Sequence, residues 1–129
     1  MEYYFNKTLT DFTFEEVIGR TTQALQNEGF GILTEIDLKT TLKNKLDVDF
    51  PNYKILGACN PGFAHKALLA ENKIGTMLPC NVIVRETKNG NIEVAAVDPI
   101  ASMMGVENES LALIAEEVRS KLKKAVDSL

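Results

Sequence analysis

Hydrophobic positions recur along the chain with two different periods, and the switches between them divide it into elements. Residues 2–8 hold Tyr3, Tyr4 and Phe5 together and predict a first strand. From Phe14 the spacing changes: Phe14, Val17, Ile18, Thr21 and Leu25 recur every three or four positions, as on one face of a helix. Thr13 stands where an N-cap belongs. Glu16, three residues on, can reach back to close a capping box, and Phe12 and Val17 are placed to staple across it. Gly29 supplies the stop, so a helix is predicted over 13–28.

A second strand follows from Phe30 to Ile36, with Phe30, Ile32 and Thr34 on one face. Asp37 ends it and can cap a short helix over 38–46, whose Leu38, Leu42 and Leu46 share a side. Pro51 closes that segment. Tyr53 to Ala58 is largely apolar and reads as a central third strand. Asn60-Pro61 is a helix-start pair, Asn capping and Pro losing no needed N–H, and predicts a helix over 61–71. Phe63, Ala64, Ala67 and Leu68 would face inward. After a connection at 72–77, Cys80 to Thr87 and residues 91–97 read as strands four and five.

Asn89-Gly90 between them predicts a two-residue type I′ turn, which sets a register. Val84 then lies opposite Ala95, Val82 opposite Val97 and Ile83 opposite Ala96. Asn81 meets Asp98 where the hairpin opens, with Cys80 turned to the other side. Beyond Asp98-Pro99 comes an irregular or short helical piece with Met103 and Met104. A final helix over about 107–127 follows, with Leu111, Ile114, Ala115, Val118, Leu122 and Val126 as its stripe. Glu107 and Glu109 near its start and Lys121, Lys123 and Lys124 near its end match the helix dipole.

The resulting order, β-α-β-β-β-β-α with two short helices beside the third strand, predicts an α+β domain on an antiparallel sheet. Both long helices are amphipathic and need the same apolar surface, which places them on one face of five strands. The other face is left for solvent, a ligand groove or a dimer contact. At 129 residues the chain makes one domain, 1–129, with a real core. A net charge of −4 argues against a nucleic-acid partner. No segment approaches the roughly 20 apolar residues of a membrane span, and Met1-Glu2-Tyr3-Tyr4-Phe5 lacks the basic start of a secretion signal. A cytoplasmic address is therefore expected, with both cysteines as thiols.

Chemistry-bearing residues gather between Gly57 and Asn81. Both cysteines are here, each followed by Asn, and the one histidine, His65, lies between them. Cys59, just outside a helix start, is placed either as a thiolate nucleophile or as a small buried residue at a strand end. Cys59, His65 and Cys80 are a candidate metal set, with zinc the ion in view, although no Cys-x-x-Cys or His-x-x-x-His spacing supports it. Asn60 and Asp98 are explained by capping. Asn81 is less easily explained, since strands disfavour Asn. No phosphate loop, dinucleotide fingerprint or nucleophile elbow is present in the sequence.

Three blocks carry a family resemblance: Gly29-Phe30-Gly31-Ile32-Leu33-Thr34-Glu35-Ile36-Asp37, Leu56-Gly57-Ala58-Cys59-Asn60-Pro61, and Leu78-Pro79-Cys80-Asn81-Val82-Ile83-Val84, followed by Asp98-Pro99. In this order they resemble the family called domain of unknown function 302 across nearly the whole chain. The resemblance implies a compact α+β domain with a TATA-binding-protein-like strand order and no DNA binding. It implies small bacterial or archaeal proteins for which a homodimer fits, and no established activity. It draws attention to Cys59, Asn60, Cys80, Asn81 and Asp98 without giving any of them a role. Three functions are then in view. One is a binding module taking a small molecule or metal near the Cys59 and Cys80 strand ends. Another is a thiol-dependent redox or sulfur-transfer protein. The third is a structural homodimer joined through the open sheet face.

Overall fold

A computed structural model describes residues 2–129. Its strands are β1 (Tyr4–Leu9), β2 (Gly31–Asp37), β3 (Tyr53–Cys59), β4 (Cys80–Glu86) and β5 (Ile92–Val97). They form one antiparallel sheet in the order β1-β5-β4-β3-β2. The helices are α1 (Phe14–Asn27), α2 (Leu38–Leu46), α3 (Pro61–Ala70), α4 (Pro99–Ser102) and α5 (Glu109–Asp127), with a 3₁₀ turn at Ile74–Met77. The long helices α1 and α5 lie side by side against one face of the sheet, so the predicted α+β arrangement holds. Among the described residues no helix is long and apolar enough to cross a membrane.

Local chemistry accounts for the frame. The Thr13 hydroxyl accepts from the Glu16 amide at 3.1 Å, and the Thr13 amide donates to Glu16 Oε1 at 3.0 Å, completing the capping box. Those bonds from Thr13 hold the Glu16 carboxyl below its ordinary value. Gly29, at φ +88°, turns the chain out of α1, and Phe30 N returns to Leu25 O at 2.9 Å. Asp37 caps α2 through Thr40 N, as its position predicts. The core joins Val17 and Leu25 of α1, Leu122 and Val126 of α5 and Phe30 just before β2 to Leu56, Val82, Val84, Val94 and Ala96 of the sheet. Each such aliphatic side chain contributes roughly 1.5–3 kcal/mol by leaving water.

The β4–β5 register differs from the expected one by a single residue. Thr87 N donates to Asn91 O at 2.8 Å and Gly90 N to Thr87 O at 3.0 Å, so the loop is Lys88-Asn89-Gly90. Only Gly90, at φ +81°, takes the left-handed conformation, whereas a type I′ turn would need Asn89 there too. Val82 therefore pairs with Ala96, Ile83 with Ala95, Val84 with Val94 and Arg85 with Glu93. The cause is burial. The two-residue turn would carry Glu93 and Val97 under the helices and push Val94 and Ala96 out of the core. One consequence is that Asn81 comes level with Val97 and Asp98 with Cys80, so Asn81 and Asp98 do not face each other.

Other departures are smaller. A bulge between Ile32 and Thr34 leaves Ile32 on the covered face opposite Ala58 and turns Thr34 to the open face opposite Gly57. Leu68 of α3 is exposed, since this short helix buries only Ala67. Asn60 occupies the N-cap position of α3 but its side chain makes no capping bond; Pro61 at the first helical position leaves one donor fewer to satisfy.

Candidate functional site

The sequence-derived candidates fall into three places. At the ends of β3 and β4, Cys80 is buried opposite Ala58, and Cys59 is half-buried one residue farther along. Burial pushes the Cys80 thiol up to about 11, with the nearby Cys59 adding to the shift. That places Cys80 far from thiolate chemistry near neutral pH. Cys59, Asn60 and Cys80 share with Phe30, Phe63 and Met103 the lining of an apolar cavity of about 30 Å³. Such a space holds about one water molecule. The Asn60 amide lies against Gly29, its Nδ2 3.0 Å from where a Cβ would stand.

His65 is exposed on α3, and among the described residues no three His, Cys, Asp or Glu side chains are grouped to hold a metal ion. Cys59, His65 and Cys80 thus do not converge. Asp98 is occupied elsewhere. Its Oδ1 accepts from Ile100 N at 3.0 Å, capping α4, and its Oδ2 accepts from Arg119 Nε of α5 at 2.9 Å. The Arg119 guanidinium in turn lies 5.7 Å from the Phe5 ring centroid. Asp98 ties β5, α4, α5 and β1 together. Asn81 stands apart from all of these, exposed on the sheet face that the helices leave bare.

That bare face holds a groove of about 410 Å³. Its floor is made of outward-pointing residues on the two central strands: Asn81, Ile83 and Arg85 along β4, and Glu93, Ala95 and Val97 along β5. Tyr3 and Tyr4 rise at one side, their rings edge to face at 5.1 Å. Tyr53 stands at the other, on β3 directly opposite Arg85. The small side chain of Ala95, between larger neighbours, makes the depression. Arg85 Nε donates to Glu93 Oε1 at 2.6 Å, and Asn6 Nδ2 donates to Glu93 Oε2 at 2.6 Å. A larger hollow of about 610 Å³ runs along α5, where Lys123 pairs with Asp127 at 2.9 Å and Arg119 with Asp98.

A family model described as "Domain of unknown function DUF302" matches residues 5–129. The chain belongs to the DUF302 family. A solved crystal structure titled as an uncharacterized conserved DUF302 protein from Bacillus stearothermophilus has the same fold. The two align over 98% of each chain with a TM-score of 0.90 and 26% sequence identity. No curated protein matches the chain. Within this DUF302 domain, of the sequence-derived candidates only Asn81 lines the groove. The misplaced hairpin register hid Glu93, and Tyr3, Tyr4 and Tyr53 join the groove through pairings of other strands that no local signal in the sequence marks. Correct alternation would have put Asn81, Ile83, Arg85, Glu93 and Ala95 on one face.

Proposed function

We propose that this DUF302 protein is a small-molecule binding module whose site is the groove on the uncovered sheet face. The observation that carries this reading is the groove itself. At about 410 Å³ it falls within the range of ligand pockets, with Ile83, Ala95 and Val97 as the apolar part of its floor, tyrosine walls and a few convergent polar groups. The cavity between Cys59 and Cys80 offers far less space, and a buried Cys80 held protonated does not favour thiol transfer. A cytoplasmic setting with both thiols reduced belongs to the same reading.

Ala95→Leu tests it, because the longer side chain fills the floor without entering the core beneath α1 and α5. Small apolar and aromatic compounds that raise the melting temperature of the natural chain should leave Ala95→Leu unshifted. Equal shifts in both proteins would sink the location. The homodimer reading uses the same face and gains support from Tyr3 and Ile36, 68% and 45% exposed. Light scattering of Ala95→Leu beside the natural chain separates the two, since only a sheet-face dimer would change mass.

A further inference from the structure

We propose that the groove recognises a singly charged carboxylate on an elongated apolar body, with Arg85 as the residue that binds the acid. This rests on the groove being the binding site.

Glu93 is the starting point. Each of its oxygens accepts one hydrogen bond, from Arg85 Nε and from Asn6 Nδ2, both at 2.6 Å, the Arg85 cation offsets its charge, and its side chain is only 14% exposed. It therefore has little capacity left to bind a ligand cation and acts as a positioning residue. Arg85 is in the opposite situation. A guanidinium has five N–H donors, and only the Nε proton has a protein acceptor among the described residues. Its side chain is 41% exposed and lines the groove. One edge of the fork is thus fixed by Glu93, while the Nη donors remain for a planar two-oxygen acceptor. A carboxylate matches that geometry with two parallel hydrogen bonds.

Charge sets the valence of the ligand. Arg85 and Glu93 together bring no net charge to the groove, so a dianion such as a phosphate monoester would meet Glu93 without a second cation to offset it. A monoanion carries the smaller penalty, because it leaves one excess negative charge in the groove where a dianion leaves two. The rest of the ligand follows from the floor and walls: Ile83, Ala95 and Val97 accept an apolar chain, and Tyr3, Tyr4 and Tyr53 accept a ring. From Arg85 to Asn81 the groove runs four residues along β4, about 13 Å. An acid at one end of a molecule of that length leaves its other end beside the exposed Asn81 amide.

The test uses the full chain with 6-phenylhexanoate and its neutral counterpart 6-phenylhexanamide, compared by isothermal titration. The acid should bind about tenfold or more tightly than the amide. Arg85→Gln should bring that ratio close to one, and Arg85→Lys, which keeps the charge but loses the fork, should fall between. If Arg85→Gln does not fold, the lowered ratio in Arg85→Lys carries the test. Equal binding of acid and amide to the natural chain overturns the carboxylate and leaves the groove standing as a site. Failure of both compounds to bind, up to about millimolar concentration, overturns the carboxylate and the groove together.

Discussion

At Gly57 the chain has no room for a side chain. A Cβ there would meet the Thr34 hydroxyl and come within 2.7 Å of the Pro79 ring, so the requirement is for space and not for an unusual backbone angle. Gly57→Ala should therefore destabilise the fold by about 1–3 kcal/mol, the range for overpacking. Denaturant unfolding measures it, and a midpoint equal to that of the natural chain would contradict the clash. At this scale the sequence was a partial guide. It showed Gly57, Cys59, Asn60 and Cys80 as an unusual group, yet it could not show that Asn60 makes no capping bond or that Cys80 is buried. Both depend on neighbours distant in the chain, Gly29 for the first and the helices of the core for the second.

Between elements, Asp98 is the joint that matters most. It caps α4 and pairs with Arg119 of α5, with its carboxylate 13% exposed. Asp98→Ala removes both interactions, and a loss of about 1–2 kcal/mol is expected from the cap with the half-exposed ion pair adding little. Arg119→Ala should lose less, because Asp98 keeps its bond to Ile100 N. Comparing the two melting temperatures checks that order; a reversed order would assign the stabilisation to the ion pair. Elements themselves were largely legible: the capping box at Thr13, the stop at Gly29 and the stripe of α5 are local signals, and local signals survive folding. The β4–β5 register was not legible to the residue. Asn89-Gly90 suits two turn geometries, and the choice between them was made by which of Val94 and Glu93 could be buried.

For the molecule as a whole, the α+β arrangement could be read from the order of strands and amphipathic helices, because two apolar stripes need one shared surface. The groove could not, since its tyrosine walls come from two strands that are distant in sequence and not neighbours in the sheet. Burial at Cys80 also has a molecule-wide effect. Its thiol ionises near 9.0 in an ordinary setting and at about 11 in the fold. Between those values the unfolded chain has released a proton that the folded chain still holds. Stability is then full below pH 9 and declines as pH rises toward 11, by on the order of 2 kcal/mol. Lys54, raised by its bond to Glu35, acts in the same direction. Denaturant midpoints at about pH 8 and about pH 10.5 should differ for the natural chain and differ less for Cys80→Ala. An equal alkaline loss in both would remove Cys80 as its source.

The strand order also bears on how the domain is put together. Strands β2 to β5 each join the next in sequence, whereas β1 must travel the length of the chain for Tyr4 to meet Val97. Closing so long a loop carries the largest entropic cost of any pairing in the sheet, and β1 is expected to dock last and release first. Tyr4 opens that strand and Tyr3 precedes it, and the bond from Asp98 N to Tyr3 O, 2.7 Å, fastens its outer end beyond the ladder. Fraying from this end takes down one wall of the groove while the four-strand meander and its core stay intact. On the proposed binding role, the doorway to the groove is an edge strand, and the rate at which a bound molecule leaves should follow the fraying of β1.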